Sequence, residues 1–173
     1  MTPEFSRPER LDQIHERERV VEIAARPEER AALARRFDLL SVDRLAASFA
    51  IRREAAGVVA RGRVQAEVVQ ACSVTGEPVP ATLDEQAELL FVPESEERTD
   101  DVELSADALD TIGFTGDRID LGEAAAETMA LALDPFPRCA DAAEALRAAG
   151  VLSEEEAKPL GKLAGLKDRL EGR

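Results

Sequence analysis

Between Gly57 and Pro93 the chain alternates apolar and polar residues twice, on either side of a short turn. No other stretch constrains the fold so strongly. In the first run the even positions Val58, Ala60, Gly62, Val64, Ala66 and Val68 are apolar or small, with Arg61, Arg63, Gln65 and Glu67 between them. In the second the odd positions Leu83, Ala87, Leu89 and Phe91 are apolar, against Thr82, Asp84, Gln86 and Glu88; Glu85 breaks the pattern. Side chains alternate faces along a strand, so a period of two predicts one buried and one wet face. Two long strands folded about Cys72-Ser-Val-Thr-Gly-Glu-Pro78 are expected, with Cys72 sharing the inward parity.

Flanking segments supply neighbours and a cover. Val20, Val21 and Ile23 predict a short strand, and Phe49 and Ile51 opposite Arg52 predict another over Ser48–Glu54 that leads into the hairpin. Adjacent antiparallel strands form a meander whose apolar face must be covered. Helices near 27–40 and 121–133 are the candidates. Pro27 marks the first, and Glu28 and Glu29 at its start with Arg35 and Arg36 near its end suit the helix dipole. Leu33, Phe37 and Leu40 would share its apolar face, leaving the arginines to solvent. At the second, Asp120 is the expected N-cap and Glu123 completes a capping-box pattern. Leu121, Ala125, Met129 and Ala132 follow, and Pro135 stops the helix. Asp120 thus has a structural explanation that needs no catalysis.

The expected fold class is therefore α+β: an antiparallel β-meander centred on residues 48–92, covered by a few helices. Glu94–Glu103 has dense acids and no apolar period, and reads as a mobile acidic loop. One domain is expected over residues 1–150, with residues 151–173 as a C-terminal tail. Pro159 would start a short docking helix there with Leu160, Leu163 and Leu170 near one side.

Charge narrows the partners. The net charge is −14, distributed as about +2 over residues 1–63 and about −16 beyond them. Nucleic-acid affinity rests largely on basic contacts, so an acidic body disfavours tight RNA binding and attracts a basic protein. Aromatics are 3% of the chain, without Trp or Tyr, so base-stacking platforms are scarce. There is no apolar run of about 18 residues and no leader pattern, so a cytoplasmic protein without membrane contact is expected.

Catalytic patterns are sparse. His15 is the single histidine and sits in a charged stretch with no Ser or Cys fixed beside it. Gly57 and Gly62 match no phosphate-loop spacing. Cys72 and Cys139, the two cysteines, stand far apart without a Cys-x-x-Cys pair. Structural zinc needs four ligands, so no metal and no cofactor are expected. A disulfide between them is possible in principle, although a cytosolic setting favours reduced thiols.

Gln70-Ala-Cys-Ser-Val-Thr-Gly-Glu-Pro78 at a strand turn, followed by Leu90-Phe-Val-Pro93, resembles the YceD family of large ribosomal RNA subunit accumulation proteins. The same order continues in Ile119-Asp-Leu-Gly-Glu123, in Leu131-Ala-Leu-Asp-Pro-Phe-Pro-Arg138 and in the tail from Lys158 to Lys167; Glu4-Phe-Ser-Arg-Pro8 also fits. The resemblance implies a non-enzymatic ribosome-biogenesis factor supporting accumulation of large-subunit ribosomal RNA. Its motif residues here, Cys72, Thr75, Glu77, Pro78, Asp120, Pro135, Pro137 and Arg138, form a candidate contact surface. Many relatives carry Cys-x-x-Cys at the turn and further Cys or His after the Pro-rich stretch; this chain has Thr75 at the second position and keeps only Cys139 downstream. The two regions are accordingly expected to lie close in space, with the turn held by hydrogen bonds. The expected partner is a basic ribosomal or assembly protein, with ribosomal RNA engaged indirectly. Two alternatives stand beside this: direct RNA binding by N-terminal arginines, and a degenerate metal or redox module at Cys72 and Cys139.

Overall fold

The computed structural model describes residues 3–94 and 110–151. Its centre is the predicted hairpin, β4 (Gly57–Ala71) and β5 (Pro78–Pro93), antiparallel from Val58↔Phe91 to Ala71↔Pro78. The pairing puts Val58, Ala60, Val64, Ala66, Val68, Ala87, Leu89 and Phe91 into one hydrophobic core, as the alternation requires. Outside, arginines of β4 face acids of β5, with Arg61 beside Glu88 and Arg63 beside Asp84. These exposed rungs add solubility more than stability.

Two antiparallel neighbours precede the hairpin. They are β2 (Arg19–Ala24) and β3 (Ser41–Glu54), which give the sheet order β2-β3-β4-β5 up to its last strand. The expected strand over Ser48–Glu54 thus begins earlier, at Ser41. A bulge between Val42 and Arg44 explains why the start was hidden: Val42 and Leu45, three apart, both face inward. The last strand, β6 (Asp110–Phe114), pairs parallel to β5, so the sheet is mixed at this edge and not a pure meander. A separate two-stranded ribbon joins β1 (Pro8–Arg10) to β7 (Arg118–Asp120). These three strands span only three to five residues each, too few for a readable period.

Helix α1 (Pro27–Arg36) and helix α2 (Leu121–Leu131) lie over the core. α1 stops four residues short of Leu40, because the chain turns at Asp38 with φ 53°. Leu33 is buried, Phe37 is partly buried, and Leu40 is exposed, so the expected three-residue apolar face is cut to its first turns. Arg36 does not point freely into water; it joins Glu4 and Glu123. α2 is alanine-rich for a packing reason. Ala124, Ala125, Ala126 and Met129 are all buried against the sheet, and small side chains let a helix approach closely.

The N-terminal segment crosses the start of α2. Asp120 caps that helix by accepting from the Gly122 and Glu123 amides, and it also accepts from the Arg7 amide and the Ser6 hydroxyl. Glu123 does not complete a capping box, since its carboxylate is taken by Arg36. A Cβ at Gly122 would lie 2.4 Å from the Phe5 carbonyl oxygen, so glycine is what allows the segment this close. Arg7 stacks over Phe5, 4.6 Å from the ring centroid, and reaches the buried Glu29 of α1. Among the described residues a third helix, α3 (Ala142–Ala148), follows the Pro-rich stretch. The acidic stretch from residue 95 and the tail from residue 152 lie outside the described residues. No helix among the described residues is long and apolar enough to cross a membrane.

Candidate functional site

The β4–β5 turn closes with two backbone bonds, Cys72 N–H to the Glu77 carbonyl at 2.7 Å and Gly76 N–H to the Cys72 carbonyl at 2.9 Å. Gly76 takes φ 76°, which an L side chain rarely adopts. The chain after α2 comes back onto this turn. Ser73 N–H donates to the Pro137 carbonyl at 2.8 Å, and the Gln70 side-chain amide donates to the Asp134 carbonyl at 2.8 Å. Cys139 N–H then donates to the Cys72 sulfur at 3.3 Å. Thr75 Oγ1 lies 3.2 Å from the Cys139 sulfur, accepts from the Glu77 amide, and contacts the Glu77 carboxylate at 3.3 Å. The two regions expected to meet do meet, and hydrogen bonds hold them together.

The sulfurs differ in environment. Cys72 is only 4% exposed and Cys139 is half-buried. The Cys139 amide, the Thr75 hydroxyl and the amides of Thr75 and Val74 favour a thiolate at Cys72 and bring its pKa down to about 6 against the burial penalty. Cys139 moves the other way: the Thr75 hydroxyl favours its thiolate, but the Cys72 sulfur, burial and Glu77 outweigh it. Among the described residues no group of three or more His, Cys, Asp or Glu could hold a metal.

Of the motif residues, Cys72, Thr75, Glu77, Pro78 and Pro137 gather at this clasp. Pro135 and Arg138 are exposed on the same returning segment, beside Phe136, which is 71% exposed. Asp120 is not with them. It sits at the opposite end of α2, about 16 Å away along an eleven-residue helix, where it caps that helix and holds Ser6 and Arg7.

A second feature escaped the sequence reading. An open groove of about 400 Å³ runs between α2 and the β5–β6 edge. Ala87, Leu89, Ile112, Ala124 and Ala132 contribute apolar lining, and Glu85, Asp110 and Glu127 contribute carboxylates; among the described residues no Lys or Arg lines it. Leu131 stands at its side, 87% exposed. Desolvation and then the nearby Glu123 raise the pKa of Glu127, against a smaller opposing effect of Arg36. The sequence held one signal of this groove: Glu85 is the acid that breaks the inward parity of its strand.

The family model for the large ribosomal RNA subunit accumulation protein YceD matches residues 60–168, more than half of the 173. The chain belongs to the YceD family. The match begins in β4 and includes the clasp, α2 and α3, whereas β1–β3, α1 and the Glu4–Pro8 motif precede it. No curated protein and no solved structure matches the chain. The family is named for accumulation of the large ribosomal RNA subunit and not for a reaction.

Proposed function

We propose that this protein is a non-enzymatic ribosome-biogenesis factor that supports accumulation of large-subunit ribosomal RNA by holding a basic ribosomal or assembly protein on its acidic surface. The groove between α2 and the β5–β6 edge carries this reading. Its apolar lining would take aliphatic side chains, and its carboxylates, with no lining cation among the described residues, would pair with lysine or arginine. A phosphate backbone would meet the same carboxylates with repulsion. Direct RNA binding through the N-terminal third is further weakened because nine of the thirteen arginines in residues 1–63 already sit in ion pairs.

Deletion of the gene followed by ribosome sedimentation tests the role; unaltered large-subunit RNA would remove it. Crosslinking with mass spectrometry in cells tests the mechanism. Crosslinked basic ribosomal or assembly proteins should be lost on Glu85→Lys with Glu127→Lys. Their unchanged recovery from a folded double variant would place binding elsewhere.

A further inference from the structure

Cys72 and Cys139 are the chain's two cysteines, 67 positions apart and unbonded. They nevertheless share one turn: the Cys139 amide donates to the Cys72 sulfur at 3.3 Å, and Thr75 Oγ1, inside that turn, touches the Cys139 sulfur at 3.2 Å. The backbones beside them are already joined through Ser73 and Pro137. Two thiols and one hydroxyl do not make a four-ligand metal site, but two thiols held this way are the elements of a disulfide.

We propose that Cys72 and Cys139 form a reversible dithiol–disulfide pair whose oxidation covalently fastens the Asp134–Cys139 segment to the β4–β5 turn. The oxidant class is a small peroxide, because Cys72 is too enclosed for a bulky disulfide to reach. The Cys72 thiolate attacks one peroxide oxygen; the O–O bond breaks, leaving a sulfenic acid at Cys72 and releasing hydroxide. The Cys139 sulfur then attacks the Cys72 sulfur. The S–S bond forms, the S–O bond breaks, and the Cys139 proton leaves with the oxygen as water. In total two thiols lose two electrons and two protons, and the peroxide becomes two waters. A reducing thiol reverses the bond by exchange. The Cys72 environment, which favours the thiolate, assigns it the first attack, and the half-buried Cys139 resolves.

The test uses the purified full-length chain treated with hydrogen peroxide at near-stoichiometric amounts. Two free thiols per chain should fall to none, the intact monomer should lose two hydrogens, and digestion should yield the Cys72 and Cys139 peptides linked. Dithiothreitol should restore both thiols. Cys139→Ser should stop at a sulfenic acid on Cys72 that a dimedone probe captures; Cys72→Ser should leave Cys139 unmodified at the same dose. Retention of two thiols by the wild-type chain, disulfides only between chains, or overoxidation of Cys72 without linkage would each overturn the pairing. The wild-type outcomes decide the matter even if a variant fails to fold.

Discussion

Replacing Glu29 should break the buried link between Arg7 of the N-terminal segment and α1 and cost a large share of the fold's stability. Its carboxylate, in a side chain 7% exposed, accepts from Arg7 Nη1 at 2.9 Å, Arg7 Nη2 at 2.8 Å, the Arg26 amide at 2.7 Å and Arg26 Nη2 at 2.8 Å. The four bonds do not add independently. The Arg26 side chain is 66% exposed and recovers water when its partner leaves, so that bond contributes little. Arg7 is only 27% exposed and would keep the Ser6 and Ala24 carbonyls and the Phe5 ring but no carboxylate, an incompletely compensated charge. Breaking one partner of a buried pair costs about 3–5 kcal/mol; with Arg7 partly wet, Glu29→Ala should cost about 3 kcal/mol. Glu29→Gln keeps an acceptor and should cost half of that, about 1.5 kcal/mol. Urea unfolding at neutral pH measures both. The pH dependence adds a second readout. Hydrogen bonds from Arg7 above all hold the Glu29 pKa far below the carboxylate range against the burial penalty. Its stabilisation is therefore fully present above the unfolded-state pKa of about 4.3 and is lost as the pH falls below that value. Between about pH 5 and pH 3 the wild-type chain should lose more stability than Glu29→Gln. A Glu29→Ala loss under about 1 kcal/mol, or equal acid slopes for wild type and Gln, would refute the assignment of a buried, strongly coupled pair.

Other contacts yield sharper local tests. Asp120→Ala removes the acceptor for two α2 amides and for the Arg7 amide, and should cost about 2 kcal/mol in thermal or urea unfolding; an unchanged midpoint would show that the cap is dispensable. Gly122→Ala should destabilise, although alanine favours helices by about 1 kcal/mol, because its Cβ meets the Phe5 carbonyl. Faster amide exchange over residues 5–10 would locate the effect, and a stabilised variant would contradict the close packing. Gln70→Met leaves the Asp134 carbonyl without its donor and should cost about 1 kcal/mol. Faster proteolytic cleavage within 134–141 is the expected sign, and unchanged cleavage would argue against the clasp.

How the clasp forms was only half legible. Cys72, Thr75, Glu77 and Pro78 announce themselves as a turn, and the Pro-rich stretch announces a rigid return. Gln70 is a further sign: it is a polar residue on the inward parity, and it is buried where it donates to the returning chain. The groove was less legible still. Glu85 registered as an exception to the alternation, but Asp110 and Glu127 reach its walls from other elements, which no local period relates to β5.

By itself the sequence determined the long hairpin and the cap at Asp120, because each follows from interactions within a few residues: alternation of faces and side-chain capping of free amides. Pro135 bars any longer helix, but α2 already ends at Leu131, short of the expected 121–133. It also carried the family order of motifs. Tertiary structure alone decided the rest. The parallel pairing of β6, the diversion of Glu123 from its own helix start to Arg36, and the meeting of Cys72 with Cys139 depend on which distant segments share a surface. Those choices rest on contacts between segments distant in sequence, gathered by a core burial that is non-directional and leaves no local signature in the chain.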